Sequence, residues 1–81
     1  MKKFPISSLA DLGLAQRARV TDVSGAAPLR RRLMEMGVLP GTMLEVVRVA
    51  PMGDPIEVRV RGYALSLRRA DARAISVEAL E

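Results

Sequence analysis

The chain has no cysteine, no histidine and no tryptophan, and it has one tyrosine and one phenylalanine among 81 residues. Without cysteine there is neither a disulfide nor a thiolate metal site. Without histidine the commonest metal ligand and general base is missing, which argues against a zinc site and against Ser-His or Cys-His catalysis. The scarcity of aromatic side chains removes two modes of binding: the aromatic groove that holds proline-rich peptides, and the stacking platform that holds single-stranded nucleic acid. No apolar run approaches the roughly 20 residues that a membrane-spanning helix needs. Met1-Lys2-Lys3 is not followed by a signal-peptide hydrophobic block, so the expected location is the cytoplasm.

What remains is apolar and basic. Hydrophobic residues make up 49% of the chain, enough at this length for one domain, residues 1–81, with one modest core. Thirteen Lys+Arg against nine Asp+Glu leave a formal charge of +4, spread along the chain. That is a bias toward anionic surfaces and not a nucleic-acid signature.

The densest local signals lie in Leu29 to Thr42, LRRRLMEMGVLPGT. Pro28 suits the first helical position, and Leu29, Leu33 and Met36 then fall on one face of a short amphipathic helix, with Arg30, Arg31 and Arg32 beginning the polar side. Gly37 sits where a left-handed residue ends a helix, and Val38 is placed to fold back on Leu33. Pro40 and Gly41 suit the central positions of a type II turn. The chain is expected to leave the helix and reverse at once.

Elsewhere the periodicity is that of strands. Ser8 can cap a helical turn from Leu9 to Leu12, ended by Gly13, and Phe4, Ile6, Leu9 and Leu12 would close one end of a core. Gln16 to Val23 alternates, with Ala18 and Val20 on one face and Arg17, Arg19 and Thr21 on the other. A small-residue loop, Ser24 to Ala27, leads to the helix. After the turn, MLEVVRVA is rich in β-branched residues but alternates imperfectly, which fits either a bend or a strand covered on both sides. Pro51 to Pro55 is a rigid loop. Ile56, Val58 and Val60, then Gly62, then Tyr63, Leu65 and Leu67 read as a hairpin. Asp71 to Ala74 allows one helical turn before a closing strand through Ile75 and Val77.

About five short strands with a helix inserted between the first and second suggest a mainly β fold, a small SH3-like barrel, since closure removes exposed edges. Three motifs carry a family resemblance: Leu33 to Gly41 as L-x-x-M-G-[hydrophobic]-x-P-G, Val46 to Pro55 as V-x-R-V-A-P-x-G-D-P, and Arg61 to Arg69 as R-G-Y-A-L-S-L-R-R. Together, over Leu29 to Val77, they resemble the FeoA family, the small SH3-like cytoplasmic proteins of bacterial ferrous-iron uptake. The resemblance implies a partner, the FeoB membrane transporter with its cytoplasmic G-protein domain. A second reading is an SH3-like domain of a DtxR-type metal-responsive transcriptional regulator, against which the missing helix-turn-helix and metal ligands speak.

The residues themselves offer no nucleophile-base pair, no Gly-rich phosphate loop and no arginine placed as a catalytic finger, so a non-enzymatic protein without cofactor is expected. Met34 and Met36 form an M-x-M spacing, yet thioethers suit Cu(I) better than Fe(II) and helical spacing turns them apart. Glu35, Glu45, Asp54 and Glu57 are oxygen donors scattered among arginines, which argues against a tight metal site. Binding to a protein is left as the mechanism. Arg30, Arg31, Met34, Leu39 and Met52 are the candidate contacts, an adaptable apolar patch rimmed by arginine. Leu33, Gly37, Pro40, Gly41 and Gly62 are expected to serve backbone shape and packing.

Overall fold

The period-2 runs become strands and the Leu29-Leu33-Met36 stripe becomes a helix in a computed structural model that describes residues 6–80. The order is β1 (Ile6–Ser8), a 3-10 turn (Leu9–Asp11), β2 (Arg17–Val23), α1 (Ala27–Glu35), β3 (Met43–Val49), β4 (Ile56–Val60), β5 (Tyr63–Leu67), α2 (Arg69–Ala72) and β6 (Ile75–Leu80). All strand pairs are antiparallel, in the spatial order β1-β6-β2-β3-β4-β5.

The sequence expectation differs from this in two places. A sixth strand precedes the expected first one: Ile6–Ser8 pairs with β6, from Ile6 against Glu78 to Ser8 against Ser76. Three residues show no periodicity, and their partners lie near the other end of the chain, so no local signal marks them. The helical turn after β5 starts at Arg69 rather than Asp71. The Asp54 carboxylate accepts the Arg69 backbone N–H at 3.0 Å, so the cap comes from a distant loop instead of a neighbouring side chain. Phe4, expected at one end of the core, lies outside the described residues. Leu9 and Leu12 are buried as expected, and the Asp11 carboxylate closes their turn by accepting the Ser8 N–H and hydroxyl.

One face of the sheet supplies the core: Ala18, Val20 and Val23 from β2, Leu44 and Val46 from β3, Ile56, Val58 and Val60 from β4, Leu67 from β5, and Ile75 and Val77 from β6. Six strands spaced about 4.8 Å apart would make a flat sheet far wider than a nine-residue helix, about 13 Å long, can cover. The sheet therefore curls so that its inner face covers itself, and α1 seals what is left. Two register shifts let it bend. One lies between Val20 and Asp22 and turns Val23 inward, and the other lies between Val46 and Arg48. The second settles the imperfect alternation of MLEVVRVA in favour of a bend.

Candidate functional site

The helix α1 is set by its exit. The Gly37 N–H donates to the Met34 carbonyl and the Val38 N–H to the Leu33 carbonyl, both at 3.0 Å, with Gly37 at φ +96°. This is a Schellman cap, and Leu33 and Val38, both fully buried, supply its hydrophobic contact. Burying Leu33 contributes about 2–3 kcal/mol by transfer of its side chain from water. Leu29 and Met36, half-buried, pack against the same core. Thr42 N–H then donates to the Leu39 carbonyl across Pro40-Gly41, with Gly41 at φ +91°, the expected type II turn. The turn is fastened to β2, since the Gly41 N–H donates to the Val20 carbonyl and the Val20 N–H to the Thr42 carbonyl.

A second clamp comes from the hairpin. Arg61 and Gly62, both at positive φ, connect β4 to β5 in two residues, and the Tyr63 hydroxyl beyond them donates to the Met36 carbonyl. The only tyrosine thus satisfies one of the helix's orphan C-terminal carbonyls.

With its inner face sealed, α1 presents Ala27, Arg30, Arg31, Met34 and Glu35 outward around a shallow depression of about 380 Å³. Met34, its one large apolar lining residue, is 41% exposed. Arg30 donates to the Gly25 carbonyl at 3.2 Å, and Arg32, one position round the helix, pairs with Asp71 at 3.3 Å. The depression combines a flexible thioether with two guanidinium groups and one carboxylate, a surface suited to protein contact.

The five candidate contacts are not brought together. Arg30, Arg31 and Met34 share the outer face of α1. Leu39 is half-buried in the turn before β3, whereas Met52, 92% exposed, lies in the loop after it. The seven residues of β3 separate the two by on the order of 20 Å. Of the structural candidates, Leu33, Gly37, Pro40, Gly41 and Gly62 occupy the core, cap and turn positions described above.

Two features were missed in the sequence. Arg69, half-buried, donates through Nε to the Gly53 carbonyl at 2.8 Å and through Nη1 to the Ala10 carbonyl, and so fastens the Pro51–Pro55 loop to the 3-10 turn. Met43 is 47% exposed on the outer side of the sheet, in a shallow hollow shared with Arg17, Glu45, Arg59 and Arg61. Position 43 precedes the first buried residue of its strand, so alternation alone puts it outside. The four acidic residues considered as oxygen donors stay apart: Glu35 on α1, Glu45 on β3, Asp54 against α2 and Glu57 on β4. Among the described residues no three such side chains cluster where they could hold a metal ion, and no helix is long and apolar enough to cross a membrane.

Among the described residues no polar or charged side chain is buried, so the chemistry of this molecule lies on its exposed faces. Fold and surface together define a class, the small SH3-like barrel with a helical seal. A family model described as the FeoA domain matches residues 7–79, and the chain belongs to the FeoA family. The Fe(2+) transport protein A/Fe(2+) transporter FeoB fusion protein of Porphyromonas gingivalis is 40% identical over 70 residues. That match takes in 86% of this chain but 8% of the relative, so the chain spans only a small part of the relative's length. The solution structure of a FeoA-like protein from Clostridium acetobutylicum is 38% identical, with a TM-score of 0.88 over 100% of this chain and 92% of that one. The zinc complex of Stenotrophomonas maltophilia FeoA, described as a prokaryotic SH3 domain protein, is 30% identical with a TM-score of 0.76, covering 86% and 87%. A manganese-dependent transcriptional repressor, at 24% identity and a TM-score of 0.84 over 94% of this chain and 37% of that one, shares the fold alone.

Proposed function

We propose that this protein is a non-catalytic accessory of ferrous-iron uptake that docks, from the cytoplasm, on the cytoplasmic region of a FeoB-like transporter and modulates its assembly or activity. The observation that carries this reading is the fusion relative, in which a segment similar to this chain shares one polypeptide with the transporter. Covalent linkage keeps two parts at high effective concentration, which benefits components that touch.

The outer face of α1 is the contact we assign. It offers the exposed Met34 between Arg30 and Arg31, held on a helix whose other face is locked in the core. Burying a thioether inside a guanidinium rim matches the composition of protein interfaces, where methionine and arginine are enriched.

Pull-down of a detergent-solubilised FeoB-like transporter tests the assignment. Met34→Asp should abolish capture, whereas Met52→Asp, at the far end of β3, should leave it intact. Equal capture by both folded variants would place the interface elsewhere, and no capture by the unsubstituted protein would sink the transporter reading. Nucleotide hydrolysis by the transporter's G-protein domain, measured with and without this chain, separates docking from catalytic activation.

A further inference from the structure

β5 is an outer strand of the sheet, and β4 is its one substantial neighbour among the described residues. The two-residue Arg61-Gly62 turn makes Val60 and Tyr63 a hydrogen-bonded pair. Alternation along the register then pairs Leu65 with Val58 and Leu67 with Ile56 in the same way. Ala64 and Ser66, both exposed, aim their backbone N–H and C=O groups away from β4, and no backbone group of the described residues meets them.

Edges of this kind are normally blunted by lysine, proline, a bulge or a covering loop. Among the described residues none of these protects β5: Tyr-Ala-Leu-Ser-Leu carries no charge and no proline, and its register with β4 runs without a shift. The charge lies around the strand instead. Arg59 stands opposite Ala64, Arg61 precedes the strand and Arg68 follows it; all three are exposed, and none forms an ion pair among the described residues. The small side chains at 64 and 66 leave the outer face low at this margin, so an added strand would meet Arg59 opposite Ala64 and Glu57 opposite Ser66, with Arg61 and Arg68 at the two ends leaving the margin net positive.

A second copy meets a difficulty here. Antiparallel pairing of β5 with itself about Leu65 satisfies the open groups, Ala64 against Ser66, but brings Arg68 of each copy beside the Arg61-Gly62 turn of the other. Like charges facing one another across strands are destabilising. An acidic strand turns the same arginines into attractions. We infer that the β5 edge accepts, as an added strand, an extended peptide segment carrying acidic side chains, on a surface distinct from the outer face of α1.

Amide exchange and chemical-shift mapping of the isotope-labelled chain provide the test. The probes are a short synthetic peptide alternating valine with aspartate and glutamate, and its counterpart with lysine at each acidic position. The acidic peptide should slow exchange at Ala64 and Ser66 by about tenfold or more while leaving Leu65, already bonded to β4, little changed. Ser66→Pro, which removes an outward N–H, should weaken binding about tenfold. The double variant Arg59→Gln/Arg68→Gln, which leaves the backbone ladder intact, should weaken it to a similar degree and flatten its salt dependence. Equal protection by both peptides, protection confined to α1, no protection by either, or self-association through β5 would each overturn the inference.

Discussion

The two loops flanking β3 look alike on paper, each short and rich in glycine and proline, yet they are held by different means. The loop before the strand, Gly37 to Thr42, is closed by backbone bonds within reach of a few residues, and then tied to Val20 on the neighbouring strand. The loop after it, Pro51 to Pro55, closes locally through Gly53 N–H to the Ala50 carbonyl and Ala50 N–H to the Pro55 carbonyl. Its position, however, depends on Arg69 and Asp54, contacts spanning fifteen and sixteen residues. The first loop takes its shape from its own residues and is tied by backbone bonds to the neighbouring strand, whereas the second is placed by side-chain contacts with Arg69. A substitution in the first should act on local geometry, and a substitution in the second should loosen several places at once.

The largest effect should come from Gly37→Val. At φ +96° a β-branched residue meets the steric penalty of left-handed backbone, and its Cβ would lie 3.3 Å from the Tyr63 hydroxyl. A loss of about 3 kcal/mol in denaturant-monitored stability is expected. Arg69→Ala should follow at about 2 kcal/mol, since it leaves two carbonyls without their charged donor. Its signature differs from that of Gly37→Val: hydrogen exchange should quicken both at Gly53 and around the Leu9–Asp11 turn, regions more than forty residues apart in sequence. Arg69→Lys should recover less than half of the loss, because an ammonium cannot span two carbonyls as a fork does. Exchange quickening at only one of the two sites would break the contrast between the loops.

The same contrast explains how much was legible beforehand. The cap at Gly37, the turn at Pro40-Gly41 and the hairpin at Arg61-Gly62 were readable because glycine and proline state their torsions locally and the flanking apolar residues state their faces. β1 was not, because Ile6–Ser8 is a strand only by virtue of β6. The start of α2 was misplaced because its cap is Asp54, outside any local window. Of the candidate contacts, Arg30, Arg31 and Met34 share one face because one helix carries them. Leu39 and Met52 lie at opposite ends of β3, which nothing in either loop's own sequence states. The open edge of β5 was equally hidden, since a strand's outer position is set by the order of the whole sheet.

A smaller effect tests the local end again. Tyr63→Phe removes the hydroxyl that donates to the Met36 carbonyl and keeps the ring, so a loss of about 1 kcal/mol is expected. Exchange should quicken at the last turn of α1 and not at its start. An effect spread over the whole helix would mean that the hairpin, and not the Gly37 cap, fixes where α1 lies.

The smallest effect belongs to the ion pair that joins the two helices. Arg32 and Asp71 meet at 3.3 Å, but their side chains are 61% and 24% exposed, so water and salt screen most of the attraction. A double-mutant cycle with Arg32→Gln and Asp71→Asn should give a coupling of about 0.5 kcal/mol or less, falling toward zero at high salt. The value matters because Arg32 neighbours the arginines assigned to docking while turning toward α2. If α1 is positioned by Leu33, the Gly37 cap and Tyr63, as the backbone bonds indicate, removing this pair leaves the Arg30-Arg31-Met34 face where it was, and transporter capture should not change. A coupling well above 1 kcal/mol, or loss of capture in Arg32→Gln, would instead make the orientation of that face depend on a distant charge. Both ends of β3 would then be placed by side-chain charges from distant elements, and the difference between them would disappear.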